Sequence, residues 1–124
     1  MYEVSVDETF AAAHNLRNYH GKCENLHGHN YKVRVTLAGK ELDSTGLLYD
    51  FLQLKKAIRT VIRSLDHKYL NEMPPFDSLN PSAENIARFI YEETAKQLPA
   101  APNGSGIARV TVWESDVTAA TYTS

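Results

Sequence analysis

Two stretches of alternating residues limit this chain more than any other feature. Over residues 2–14, Tyr2, Val4, Val6, Phe10 and Ala12 share one parity, while Glu3, Ser5, Asp7 and Thr9 share the other. Over 27–37, Tyr31, Val33, Val35 and Leu37 share one parity, and Asn30, Lys32, Arg34 and Thr36 the other. Side chains alternate across a strand, so a period of two predicts two half-buried strands with one face on a core. Glu8 falls on the apolar parity of the first stretch and reads as the mark of a bulge. His14, His27 and His29 also carry the apolar parity, at the end of the first stretch and the start of the second.

The segment 15–26 between them is polar, with Asn15, Asn18, Gly21 and Asn25, and reads as a loop; it holds Cys23, the only cysteine. Gly39 to Gly46 is a short connection. A helix follows, with Asp50 and Gln53 as a capping box and Phe51, Leu54, Ile58, Val61, Ile62 and Leu65 as an apolar stripe at helical spacing. Lys55, Lys56, Arg59 and Arg63 mark its exposed face, and Asp66 and His67 its end. Pro74, Pro75 and Pro81 make 71–81 a loop. Asn80-Pro81-Ser82 starts a second helix, with Pro81 in its first turn or Ser82 as its cap. Ile86, Phe89, Ile90, Thr94 and Leu98 form its inner stripe. After a Pro- and Gly-rich loop, 107–114 is a third strand with Ala108, Val110, Val112 and Glu114 in phase, and 117–123 a weaker fourth. The order β-β-α-α-β-β predicts an α+β fold in one domain, 1–124: a four-stranded antiparallel sheet with both helices on one face.

Composition narrows the partners. A net charge of −2 and a pI of about 6.2 argue against a nucleic-acid binder held by phosphate contacts. One cysteine cannot form an internal disulfide, which suits a reducing compartment. No apolar run approaches the ~20 residues of a membrane span, and Met1-Tyr2-Glu3-Val4 does not read as a signal peptide. A cytoplasmic location is expected.

Parity also brings chemistry together. His27 and His29 project from one face, and pairing of the two strands brings His14 to the same spot. Three neutral imidazole nitrogens around Zn²⁺ leave a fourth position open, as catalytic sites do. Each histidine alone has a plainer reading as a hydrogen-bonded core or surface residue. Cys23 is either a small buried residue or, beside a cation, a thiol of lowered pKa. Asp66-His67 is either a polar helix terminus or a carboxylate–imidazole pair that relays protons. Glu114, a carboxylate on an apolar parity, needs a partner. A ligand with adjacent N–H donors would supply one, as would an ordinary salt bridge or solvent. His20 reads as a solvated loop residue.

Taken together, Cys23-x-x-x-His27-Gly28-His29, Ala13-His14, Asp50-Phe51-x-x-Leu54, Leu65-Asp66-His67-x-x-Leu70-Asn71, Asn80-Pro81-Ser82-x-Glu84-Asn85 and Val112-Trp113-Glu114 resemble the 6-pyruvoyltetrahydropterin synthase / 6-carboxytetrahydropterin synthase family. The resemblance covers essentially the whole chain. It implies the tunnelling fold, in which subunits join their sheets into a barrel, commonly a hexamer of two trimers with active sites between subunits. It implies Zn²⁺ on His14, His27 and His29, Cys23 as general base, Asp66 and His67 as its relay, and Glu114 as anchor of the pterin ring. The implied substrate is 7,8-dihydroneopterin triphosphate. Three residues between the cysteine and His-Gly-His resemble the 6-carboxy-5,6,7,8-tetrahydropterin synthase branch, which feeds queuosine synthesis. A 6-pyruvoyltetrahydropterin synthase is the alternative. Glu24 adds another, because in a third branch a glutamate replaces the cysteine and the product is 6-hydroxymethyl-dihydropterin; an enzyme of both kinds is then conceivable, or Glu24 is a loop charge facing solvent. Readings of other classes are a noncatalytic zinc-binding scaffold and a metallohydrolase.

Overall fold

The computed structural model describes residues 1–19, 21 and 25–124. Both alternating stretches are strands, β1 (Tyr2–His14) and β2 (His27–Gly39), followed by α1 (Phe51–Leu65), β3 (Lys68–Tyr69), α2 (Ala83–Gln97), β4 (Gly106–Ser115) and β5 (Thr118–Tyr122). They form one sheet in the order β3-β1-β2-β4-β5. The class is α+β, but the sheet has five strands rather than the four expected. The extra strand, β3, pairs parallel to β1 at Ala12 and Ala13. Two residues carry no periodicity, which is why the strand is invisible as a pattern.

β1 and β2 pair antiparallel without a shift, from Tyr2 opposite Gly39 to His14 opposite His27. Glu8 therefore marks no bulge. It keeps the core parity at the margin of the core, where Arg59 of α1 meets its carboxylate at 3.1 Å. The irregularities lie instead between Thr36 and Leu37 and between Trp113 and Ser115.

Both helices cover one face. α1 packs on β1, α2 on β4 and β5, and the two helices touch. Val6, Phe10, Tyr31, Val33, Val35, Val110 and Val112 meet Leu54, Ile58, Val61, Leu65, Ile86 and Ile90 in the core. Burying each such side chain stabilises the fold by roughly 1.5–3 kcal/mol. Phe51 lies at the angle of the α1 stripe yet is 47% exposed, as the first residue of the helix, while Leu48 and Tyr49 just before it are buried. The α1 cap is Asp50, whose side chain accepts from Leu52 N; among the described residues Gln53 makes no reciprocal bond, so the box is half formed. For α2 the cap is Ser82, accepting from Asn85 N, and Pro81 stands outside the helix. The loop between the helices is not all solvated: Leu70 and Phe76 are fully buried.

Candidate metal centre

The uninterrupted register places the three imidazoles. His14 ends β1 directly opposite His27, and His29 lies opposite Ala12. All three project toward the helix-covered side, at the end of the sheet where the apolar residues run out. Their candidate ligand nitrogens lie within 4.8 Å of one another. Ring centroids are 4.6 Å apart for His14 and His27, 5.1 Å for His14 and His29, and 4.7 Å for His27 and His29.

The hydrogen bonds around them decide which nitrogen carries the proton. His14 Nδ1 donates to the carbonyl of Pro81 at 2.6 Å, and His27 Nδ1 to the carbonyl of Asn25 at 2.7 Å. A carbonyl only accepts, so both Nδ1 atoms bear hydrogen, and with both rings neutral both Nε2 atoms present lone pairs. Those two Nε2 atoms face each other at 3.0 Å. Two lone pairs at that distance repel unless a cation lies against them. The third, His29 Nε2, is buried with no hydrogen-bond partner among the described residues. Metal-bound histidines are held in this way, with the other ring nitrogen donated to a carbonyl. The donor set thus fits a cation, and imidazole nitrogens suit zinc and other borderline transition metals.

Electrostatics keeps the rings ready. Burial pushes the pKa of His14 down, with the Pro81 carbonyl and Glu114 working against it. Burial also lowers His29, again opposed by Glu114. Both therefore stay neutral near pH 7, the form that binds metal. Tyr31, stacked on Phe10 at 4.8 Å, puts its hydroxyl 3.2 Å from His14 Nδ1. Burial raises that phenol far above its ordinary value, so it stays protonated. Sequence reasoning missed Tyr31 and the two carbonyls; only the parity of Tyr31 with the histidines pointed to it.

Glu114 is on the expected parity of β4, its carboxylate 4.0 Å from His14 Nε2 and partly exposed. It lines a cavity of about 450 Å³ together with His14, Leu16, the first residues of α2 and residues 118–121 of β5. Asp66 and His67 form a pair, with Asp66 Oδ2 3.0 Å from His67 Nδ1. Asp66 Oδ1 accepts from Ala11 N at 2.9 Å, and His67 N donates to Ala11 O at 2.6 Å. These bonds to β1 hold His67 at φ 58°, which is uncommon for a residue with a side chain. The Ala11 amide, followed by His67, draws the Asp66 carboxyl below its usual range. The His67 side chain is 82% exposed and lines a second cavity of about 440 Å³ with Ala11–Ala13, Gly28, His29 and Tyr69. Within one chain, then, His67 and Glu114 line different cavities. A Cβ at Gly28 would make only an ordinary 3.8 Å contact with Ala12 O. Cys23, Glu24 and His20 lie outside the described residues.

An α+β sheet with two helices on one face and a three-histidine cluster at its end, able to hold a metal ion, defines a class of tunnelling-fold enzymes. The chain belongs to the 6-pyruvoyl tetrahydropterin synthase family, whose model matches residues 3–124. It is 34% identical over 129 residues to the 6-carboxy-5,6,7,8-tetrahydropterin synthase of Synechocystis, covering 100% of this chain and 95% of that one. It is 40% identical over 107 residues to the 6-pyruvoyl tetrahydrobiopterin synthase of Poecilia reticulata, covering 75% and 73%. The solved 6-pyruvoyl tetrahydropterin synthase of Caenorhabditis elegans superposes with a TM-score of 0.88 at 28% identity, over 99% of this chain and 95% of that one. No helix of the described residues is long and apolar enough to cross a membrane.

Proposed function

We propose that the chain is a zinc-dependent, cytoplasmic, single-domain enzyme that converts 7,8-dihydroneopterin triphosphate to 6-carboxy-5,6,7,8-tetrahydropterin, on the route to queuosine. The observation that carries this reading is the buried Nε2 of His29, without a hydrogen-bond partner among the described residues, beside the facing Nε2 atoms of His14 and His27, with the Glu114 carboxylate 4.0 Å from His14 Nε2 at the edge of a cavity. Relatives named for both 6-carboxy and 6-pyruvoyl products support the pterin class, and the full-length match to the former supports the branch.

His14, His27 and His29 hold the metal. Zinc bound there supplies a Lewis acid that lowers the pKa of the substrate's side-chain hydroxyls. The Glu114 carboxylate accepts two adjacent N–H groups of the pterin edge, which gives an otherwise lone carboxylate its partner. Cys23 takes a proton from the substrate side chain. Asp66 holds the His67 Nδ1–H and leaves Nε2 free to pass that proton on. Because His67 and Glu114 face different cavities in one chain, a complete site draws on two copies. The β1 edge beyond β3 and the outer edge of β5 have no strand partner among the described residues, and pairing between copies would close them. A hexamer of two trimers is the assembly proposed, six times 13.9 kDa.

The test is direct. The zinc-loaded protein is incubated with 7,8-dihydroneopterin triphosphate and the pterin product identified by mass. The expected product is 6-carboxytetrahydropterin with release of acetaldehyde and inorganic triphosphate. A 6-pyruvoyl or 6-hydroxymethyl pterin would move the chain to another branch, the latter bringing Glu24 into play. Unchanged pterin would overturn the reading in favour of a zinc-binding scaffold, and phosphate release alone would favour a metallohydrolase.

A further inference from the structure

The loop 15–18 that leaves the metal cluster is tied down by side-chain amides rather than by a strand. Asn71 accepts from Asn15 N and donates to Asn15 O, both at 2.9 Å. Asn80 does the same to Arg17, accepting from its N at 2.9 Å and donating to its O at 3.0 Å. Each amide exchanges both bonds with one residue, as a paired strand does. The two clamped residues stand two apart, on the continuation of β1 past its β3 partner.

The clamps are themselves braced. Arg17 returns its guanidinium to the carbonyls of Asn71 and Phe76, at 3.2 and 2.7 Å. Tyr69 donates to Asn15 Oδ1 at 2.7 Å, and Asn85 to Asn80 O at 2.9 Å. The carbonyl that orients the His14 ring belongs to Pro81, the residue after Asn80. So the His14 ring and the backbone that follows it are referenced to one loop. If that loop shifts against β1, the Nδ1 bond and the clamps break together.

We propose that Asn71 and Asn80 are positioning residues for the metal centre, setting His14 through the backbone on one side and the Pro81 carbonyl on the other. This rests on the proposed metal site. Outer partners of metal ligands matter, and their loss lowers metal affinity by roughly 10–100-fold.

The experiment compares Asn80→Ala, Asn71→Ala and Asn103→Ala with wild type and His29→Ala. Asn103 is the control: it donates to Glu41 O and Leu48 O and accepts from Ser105 N at the other end of the sheet. Zinc affinity is read by competition with a chromophoric chelator, and Co²⁺ spectra report the ligand field, on protein shown folded by circular dichroism. Asn71 is nearly buried, so Asn80→Ala carries the test if the Asn71 variant does not fold. The expected result is a roughly 10-fold or greater loss of zinc affinity and an altered Co²⁺ spectrum for the clamp variants, with Asn103→Ala like wild type. Wild-type affinity in folded Asn80→Ala, or an equal loss in Asn103→Ala, would overturn the clamp alone. Equal zinc in wild type and His29→Ala would overturn the metal site, and the clamp with it.

Discussion

The two ends of the sheet carry the same alternation and bury different chemistry. At one end Val6, Val35, Leu37 and Val110 fill the face under the helices; at the other the positions belong to His14, His27, His29 and Glu114. The apolar end is stabilised by removing surface from water. The polar end is stabilised less by burial than by bonds to fixed partners: the Pro81 and Asn25 carbonyls and the two asparagine amides. Where no partner exists among the described residues, as at His29 Nε2, burial of a polar atom costs roughly 1–3 kcal/mol in the metal-free protein. The fold therefore concentrates stability at one end and leaves the other with an unmet demand that a cation satisfies.

Several substitutions separate the ends. Ile58→Ala, in the apolar half, is expected to lower unfolding free energy by about 2–5 kcal/mol in urea titrations of the metal-free protein. Zinc affinity of the molecules still folded should not change. His29→Leu is expected to do the opposite. It abolishes zinc binding, while metal-free stability stays level or rises by about 1 kcal/mol, because a partnerless polar atom is removed. A destabilisation as large as that of Ile58→Ala would show that His29 has a partner in the metal-free protein. Ser82→Ala removes the α2 cap and should cost about 1 kcal/mol, without altering the His14 bond to Pro81.

The smallest effect expected is the acid response of Asp66. Its carboxyl is held below the ordinary value in the folded chain. Such a group contributes stability above the unfolded-state pKa and loses it as pH falls through the lower folded pKa. Asp66→Asn should therefore flatten the pH dependence of stability below about pH 4: the small loss it causes is present at neutral pH and vanishes in acid, where both proteins carry an uncharged side chain. An unchanged acid limb would mean that the Ala11 amide does not stabilise the charged form.

Much of this contrast is legible in the residues. Parity alone puts His14, His27 and His29 on the core face, because an unshifted register preserves it over thirteen residues of each strand, and Glu114 keeps the parity of Val110 and Val112 on β4. The helix caps are equally local and equally readable. What was not legible depends on distance along the chain. Asn71 and Asn80 appear in motifs, but their bonds to Asn15 and Arg17 span 56 and 63 residues. β3 is too short for a period, and Phe76 is buried from within a proline-rich loop that has no periodicity to show which side chains face the core. Phe51 has the right helical angle and the wrong axial position, and Glu8 looked like a bulge because its partner Arg59 lies on another element.

The account makes three imidazoles the protein ligands and keeps Cys23 free to move a proton. Zinc K-edge X-ray absorption of the loaded protein tests both statements at once. It should show nitrogen or oxygen scatterers at ~2.0–2.1 Å, with the outer-shell pattern of about three imidazoles and no sulfur. A sulfur scatterer at ~2.3 Å would place Cys23 on the metal and contradict its role as base.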